Sequence, residues 1–104
     1  MAGEKVVVDV SDLQPGQLRA LELAGRCLVL CNAEGSYYAL EDRCPHAAVA
    51  LSAGRLRGHL LECPHHGGLV DVRDGSPQRP PIRRTVSTFA VRPVEGGLEI
   101  DLRA

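Results

Sequence analysis

The sequence is poor in aromatic residues, in long apolar runs and in net charge. Only 3 % of its 104 residues are aromatic and Trp is absent, so the core has to be built mainly from Val, Leu and Ala. Lys and Arg number 12 against 13 Asp and Glu, a balance that gives no reason to expect a nucleic acid or an anionic membrane as partner. Near the start, the apolar run is only residues 6–8, which is too short for a signal peptide or a membrane span. We therefore expect a cytoplasmic protein.

The length is that of one ordinary domain, and we predict a single domain over residues 1–104. Charged residues are unevenly distributed along the chain. Residues 1–42 hold three bases and seven acids, whereas residues 43–104 hold nine Arg and six acids. A functional site in the second half would therefore lie in a basic neighbourhood.

Short apolar segments alternate with turn signals, and no long segment has helical periodicity, which predicts an all-β fold. The predicted strands are residues 5–10, 17–23, 26–31, 36–40, 59–63, 69–72, 83–92 and 98–102. The stretches predicted to lie outside strands are residues 43–53, 64–68 and 76–81. We expect them to be loops at one end of a small antiparallel barrel or sandwich.

Four cysteines in a reducing cytosol indicate metal or redox chemistry before structural disulfides. Cys27 and Cys31 lie in one predicted strand, where four steps of about 3.3 Å separate their Cα atoms by about 13 Å, beyond the disulfide limit of about 7 Å. Both are interpreted as small buried hydrophobic residues.

The other two cysteines belong to a pair of motifs, Cys44-x-His46 and Cys63-x-x-His66, separated by residues 47–62. A structural zinc ion accepts two Cys and two His, but such sites more often pair the thiols in one arm and the histidines in the other. Here each arm supplies one thiol and one imidazole, which favours a binuclear iron-sulfur centre. On spacing alone, both kinds of site stay open.

Over nearly its whole length the sequence resembles the Rieske-type [2Fe-2S] ferredoxins, particularly those of oxygenase systems. The segments that carry the resemblance are CPHAAV at 44–49, CPHHGG at 63–68, DLQPGQ at 12–17, HGGLVDVRDG at 66–75 and the pair Pro80-Pro81. The resemblance implies a small antiparallel β-sandwich or barrel with a cluster-binding subdomain of two facing loops, at about residues 43–81.

The resemblance also implies one 2Fe-2S cluster and its ligands. Cys44 and Cys63 would bind the inner, ferric iron, and His46 and His66 the outer, reducible iron. Two thiolates, two sulfides, two ferric ions and neutral imidazoles carry no net charge, so adding an electron costs less than in a cluster held by four thiolates.

The function implied is that of a soluble, monomeric carrier of single electrons from a flavoprotein reductase to a terminal oxygenase, in particular an aromatic-ring hydroxylase. It is not an enzyme, since the sequence has no Gly-rich nucleotide loop, no nucleophile with a base at recognisable spacing and no second metal set. Two alternatives stay open. One is the small Rieske-like subunit of a nitrite reductase, and the other is a non-redox interaction module folded around zinc.

Departures from the family pattern predict a low reduction potential. High-potential members join their loops by a disulfide at the positions of Val49 and His65 here, and place Ser and Tyr donors at the positions of Gly68 and Val70. Without those two hydroxyl donors to the cluster sulfurs, the potential is predicted at the low end of the Rieske range, near about −150 mV.

The remaining histidines and arginines are not expected to bind the cluster. His59 is predicted to point to solvent or to cap a strand, and His65 to lie on the exposed loop tip, where its ring could face a partner. Most arginines of the second half are expected to be solvated, with a minority near the loops that could attract an acidic partner.

Overall fold

The computed structural model of the protein describes residues 4–45 and 48–103. Within these ranges the chain forms eleven strands and one turn of 3-10 helix at Leu51–Ala53, with no α-helix, so the predicted all-β fold is confirmed. In the described ranges, no helix is long and apolar enough to cross a membrane. The strands are β1 (Lys5–Val8), β2 (Leu18–Leu23), β3 (Arg26–Ala33), β4 (Ser36–Glu41), β5 (Arg55–Arg57), β6 (Leu60–Glu62), β7 (Leu69–Asp71), β8 (Pro77–Arg79), β9 (Thr88–Phe89), β10 (Val91–Val94) and β11 (Gly97–Asp101).

The strands form three antiparallel sheets, with orders β1-β11-β10, β2-β3-β4-β9 and β5-β6-β7-β8. Period-two patterns set the register of the first sheet, because Val6 lies opposite Ile100 and Val8 opposite Leu98. Both strands therefore turn their apolar residues to the same side, and Val7 between them is 51 % exposed.

Strand β3 connects two hydrophobic cores. Leu28 and Leu30 belong to the core that also contains Leu98 and Ile100 of β11. Val29 and Cys31, at the alternate positions of the same strand, belong to the second core. Since successive side chains of a strand point to opposite faces, the continuous apolar run of β3 is what a strand covered on both sides requires.

The second core joins β3 and β4 to the β5-β8 sheet. It contains Leu61 of β6, Val70 of β7 and Ile82, which follows β8. The side chains of Cys44 and Cys63 belong to the same core. The two predicted thiol ligands are thus built into the packing that holds the small sheet on the rest of the protein.

Two strand predictions were wrong. A single strand over 83–92 is instead the short strands β9 and β10, because the backbone before them pairs outside any sheet: Val86 N donates to Gly75 O at 2.8 Å. Residues 76–81, predicted as loop, contain β8 at Pro77–Arg79, which is an edge strand and therefore tolerates a proline. Strand β5 was not predicted at all, since three residues carry too little periodicity.

The interpretation of Cys27 was also wrong. Cys31 is fully buried, and burial raises the pKa of its thiol to about 12, as expected of an inert core cysteine. Cys27, however, is exposed. It lies at the start of β3, opposite Glu22 and next to the turn at Gly25, where the strand extends beyond the covered part of the sheet.

Candidate metal centre

Two loops carry the predicted ligands, and both are closed in the same way. The first loop, residues 42–50, follows β4, and the second, residues 63–68, joins β6 to β7. The amide N of Cys44 donates to the carbonyl O of Val49 at 2.9 Å, and that of Cys63 to the O of Gly68 at 2.8 Å. In each loop the cysteine therefore lies at the root, bonded to the residue five positions later. In the second loop, residues 64–67 between these two form the tip.

The structure brings the two predicted thiol ligands together. Cys44 and Cys63 are each only 1 % exposed and belong to the same core, near enough for the Cys44 thiol to influence the pKa of Cys63. Burial, and then the neighbouring Cys44, raise the pKa of the Cys63 thiol, although the amide of His65, 3.4 Å from Cys63 Sγ, works in the opposite direction. Two buried thiolates side by side repel each other, so a cation between them is what would stabilise their ionised form.

The predicted imidazole ligand of the second loop lies at the tip. His66 is exposed and has a left-handed backbone, with φ of 74°. Its ring stacks on the His65 ring with centroids 4.1 Å apart. His46, the imidazole ligand predicted in the first loop, lies outside the described residues.

An anchor that the sequence analysis missed fixes the first loop. Both carboxylate oxygens of Asp42 accept hydrogen bonds from Ser52, one from its amide at 2.7 Å and one from its hydroxyl at 2.6 Å. This clamp joins the residue two before Cys44 to the 3-10 helix. Asp42 and Ser52 are ten residues apart, and no local sequence pattern indicates that they form hydrogen bonds with each other. The contact is therefore visible only in the folded structure.

The second loop is supported by a side chain that the sequence analysis also missed. A Cβ at Gly68 would lie 2.7 Å from Cγ1 of Ile82, so the buried Ile82 packs directly against the loop backbone. Arg79 donates to Gly67 O at 3.5 Å from the other side. The end of β8 and the segment after it thus hold the second loop in place.

His59, predicted to point to solvent or to cap a strand, is partly exposed and lies beside Glu34. Its Nε2 lies 3.4 Å from Oε1 of Glu34, and its side chain is 35 % exposed. It precedes β6, whereas Cys63 follows that strand, so the histidine lies at the opposite end of the sheet from the ligand loops.

The donors in this region fit a binuclear centre. In the part of the chain that the structure describes, which leaves out His46, no three His, Cys, Asp or Glu side chains lie close enough together to hold one ion. A tetrahedral zinc site requires its donors to meet at one point. Here the thiols are buried at the loop roots and His66 is exposed at a tip, so thiolates for an inner iron and imidazoles for an outer one suit this difference in depth.

Comparison with known families gives one assignment. The model of the Rieske [2Fe-2S] domain matches residues 3–90. Among curated proteins, the chain is 37 % identical over 91 residues to ferredoxin CarAc of Metapseudomonas resinovorans, covering 86 % of this chain and 85 % of that protein. It is 33 % identical over 95 residues to the ferredoxin component of the naphthalene 1,2-dioxygenase system of Pseudomonas putida, covering 91 % of each.

Solved structures agree with this assignment. A complex of reduced oxygenase and oxidized ferredoxin in carbazole 1,9a-dioxygenase contains a chain with a TM-score of 0.88 and 34 % identity, covering 94 % of this chain and 93 % of that one. The ferredoxin of carbazole 1,9a-dioxygenase from Nocardioides aromaticivorans has a TM-score of 0.87 and 28 % identity, covering 92 % and 95 %. The choice between zinc and iron-sulfur that spacing left open is thereby resolved. The chain belongs to the Rieske [2Fe-2S] domain family, holds one Rieske-type 2Fe-2S cluster and is an electron-carrying ferredoxin, not an enzyme.

Proposed function

We propose that this ferredoxin receives single electrons from a flavoprotein reductase and delivers them to a terminal, aromatic-ring-hydroxylating oxygenase. The observation that carries the proposal is a buried thiol pair beneath an exposed histidine tip, in a chain whose relatives are ferredoxin components of dioxygenase systems. A carrier needs this arrangement, because the electron has to be shielded from water on one side and accessible to a partner on the other.

The proposed ligands are Cys44 and Cys63 for the inner iron and His46 and His66 for the outer iron. When bound, the cluster supplies a site that takes up and releases one electron. The buried cysteines exclude water from the inner side, and His66 presents its ring at the surface where a partner can approach. Stacking of His65 on this ring restricts its orientation.

The proposed organisation is one Rieske domain over residues 1–104, with a cluster-binding subdomain at about 43–81. The core that contains both thiols also contains residues of β3 and β4, which supports a single folding unit. We further propose that the protein works as a monomer in the cytoplasm, where reduced thiols persist.

The proposed potential is at the low end of the Rieske range, near about −150 mV. Gly68 has no hydroxyl to donate to a cluster sulfur, and Val70 is fully buried among apolar residues. Protein-film voltammetry of the purified ferredoxin measures this value directly. A midpoint potential above 0 mV would show that other donors replace the missing hydroxyls.

The ligand assignment can be tested by electron paramagnetic resonance (EPR) of the dithionite-reduced protein, together with iron and zinc analysis. We expect two irons per chain and a rhombic signal whose average g value lies below that of all-cysteine clusters. Cys44→Ser and Cys63→Ser should lose the signal and the iron. Cys31→Ala, which removes a buried thiol from the same core, is the matched control and should keep both.

Electron delivery can be tested by reconstitution with purified reductase and oxygenase of the carbazole and naphthalene dioxygenase systems. Substrate-dependent oxygen uptake that requires this ferredoxin would support the proposal. If the protein shows a Rieske signal but transfers electrons to neither oxygenase, and instead supports nitrite reduction with a nitrite reductase large subunit, the proposed oxygenase function is wrong.

A further inference from the structure

Three exposed arginines surround the second ligand loop, and we propose that they are a docking surface for an acidic patch on the terminal oxygenase. These residues, Arg55, Arg79 and Arg83, are called the arginine rim below. The inference rests on the proposed function and adds to it the location of the oxygenase contact and the sign of the partner's charge.

Sheet register places two of the arginines on either side of the loop. Glu62 is the last strand residue before the loop, and Leu69 is the first strand residue after it. Arg55 pairs with Glu62 from β5, and Arg79 pairs with Leu69 from β8. These four residues form one row across the sheet, so with strands about 4.8 Å apart, Arg55 and Arg79 lie about 14 Å apart on the two edges.

One rim arginine contacts the loop backbone directly, and a second follows a residue that packs on it. Arg79 Nη1 lies 3.5 Å from Gly67 O. Arg83 follows Ile82, whose side chain packs against Gly68. All three rim residues are exposed, whereas Gly68 and Cys63 beside them are buried. A partner that approaches the His66 tip therefore has exposed guanidinium groups beside its contact.

The rim is positive although the whole protein is slightly negative, with a formal net charge of −1. Glu62 is the carboxylate that the register places in this row, and it lies 3.3 Å from Arg55 with its side chain 18 % exposed. Arg55 itself is 75 % exposed, so most of its charge faces water. At an ionic strength of about 0.1 M, electrostatic interactions are screened beyond about 10 Å. A partner docked at the tip therefore interacts more strongly with the rim than with distant acidic side chains.

An acidic protein surface fits such a rim, because guanidinium groups bind carboxylates in a bidentate manner. We assign this surface to the oxygenase and not to the reductase. In the solved complex of reduced oxygenase and oxidized ferredoxin in carbazole 1,9a-dioxygenase, a chain of this fold is part of the assembly with the oxygenase. Charge complementarity of this kind mainly raises the association rate and fixes the orientation of docking.

The first test uses small redox reagents, which report the local charge without any protein partner. The rim variant is R55Q/R79Q/R83Q, and the control R57Q/R92Q/R103Q removes the same number of exposed arginines elsewhere, so that both variants have the same net charge. Stopped-flow oxidation of the reduced protein is measured with ferricyanide, an anion, and tris(phenanthroline)cobalt(III), a cation, at ionic strengths of about 10 mM and about 200 mM. Both variants should keep the EPR signal of the wild type. The midpoint potential of each variant is measured as well, because removing positive charge near the cluster lowers the potential, and the rates are corrected for that difference in driving force.

We expect added salt to slow wild-type oxidation by ferricyanide and to accelerate oxidation by the cobalt complex. At low salt, ferricyanide should oxidise the rim variant about tenfold more slowly than the wild type, and the control variant at most about twofold more slowly. If the wild type shows the opposite salt dependence, or if both variants behave alike, the rim does not control the charge at the tip and the inference is wrong.

The second test identifies the partner. Dissociation constants are measured by isothermal titration calorimetry for the oxygenase and the reductase that exchange electrons with the wild type in the reconstitution. The rim variant should bind the oxygenase about tenfold more weakly than the control variant does, and the reductase about equally well. If the rim variant binds only the reductase more weakly, the assignment to the oxygenase is wrong. If both variants bind both partners equally well, the rim is not a docking surface. A failed reconstitution contradicts the proposed function alone, because the ferricyanide test still decides whether the rim sets the charge at the tip.

Discussion

At the scale of single residues, Asp71 is the charged side chain that the described part of the fold buries most, at 9 % exposure. Its carboxylate accepts hydrogen bonds from the amide of Arg73 at 2.9 Å, and from Nε and Nη2 of Arg73 at 3.0 and 2.8 Å. The guanidinium of Arg73, with smaller contributions from its amide and from His59, holds the pKa of Asp71 below its usual value, although burial acts in the opposite direction. The ionised carboxylate therefore stabilises the fold.

We expect Asp71→Asn to lower the free energy of unfolding by about 1 to 2 kcal/mol at neutral pH. Because the pKa is lowered on folding, the charge stabilises fully above the unfolded pKa of about 4 and stops doing so as the pH falls through the folded value. The difference between wild type and variant should therefore shrink below pH 4, which urea denaturation followed by circular dichroism at several pH values will measure. Asp101→Asn removes a carboxylate with the same bonds to Arg103 at a more exposed site, with its side chain 21 % exposed against 12 % for Asp71, and should have less effect.

Single residues differ in how well the sequence predicts them. The burial of Cys44 and Cys63 agrees with the predicted ligand roles, because the resemblance rests on a local pattern of a few residues. The exposure of Cys27 and the contact of His59 with Glu34 were not predictable. The exposure of Cys27 depends on where the covered part of the sheet ends, and the contact of His59 depends on which turn lies beside it in space. Neither property has a signal in the neighbouring sequence.

At the scale of elements, the close approach of β5 to β6 depends on Gly54. A Cβ at this position would lie 1.8 Å from Glu62 O and 3.0 Å from its carbonyl carbon. The φ of Gly54 is −89°, outside the left-handed region, so the requirement for glycine is argued from the steric contact with Glu62. Since Glu62 directly precedes Cys63, a shift of this carbonyl moves the root of the second ligand loop.

Gly54→Ala should lower the free energy of unfolding by about 3 kcal/mol, because backbone atoms cannot rotate away as a side chain can. It should also reduce the iron content of the purified protein. Gly58→Asn is the matched control. Gly58, in the turn after β5, has φ of 62° and open space around it, so asparagine should cost less than about 1 kcal/mol there. Equal thermal stability of the two variants would contradict the steric argument.

Element prediction succeeded where strands are long. Strands β2, β3 and β4, with six to eight residues each, have clear apolar patterns and tight turns, and their positions match within two residues. Strands β5 and β8 have three residues each and contain arginines or a proline. They form because β6 and β7 offer neighbouring edges, so their existence depends on the tertiary structure and not on local propensity.

At the scale of the whole molecule, the ligand loops draw on both halves of the chain. The second half of the chain carries the excess of arginine, and Arg55, Arg79 and Arg83 lie exposed around the second loop. The supports of the loops could not be predicted, since Ser52 reaches Asp42 and Ile82 reaches Gly68 only after the sheets have packed. Sequence patterns predict which residues bind, and packing decides how rigidly the loops that carry them are held.

The two cores make the molecule unequal in stability once the cluster is removed. The β5-β8 sheet consists of three-residue strands and shares its core with the buried thiols, whereas β1, β10 and β11 pack with β2 to β4 around the other core. With the proposed ligands, the cluster joins the two loops and so stabilises mainly the small sheet.

After anaerobic removal of iron with a chelator, backbone amides of β5 to β8 should exchange with deuterium about tenfold faster or more, since local opening no longer breaks a metal bond. The amides of β10 and β11 serve as the internal reference and should change little, because Leu98 and Ile100 pack in the core without the thiols. Hydrogen-exchange mass spectrometry of the iron-loaded and iron-free protein gives both rates in one experiment. Uniform acceleration along the chain would mean that the cluster stabilises one indivisible core. Unchanged rates in β5 to β8 would mean that packing against β3 holds the small sheet without the metal.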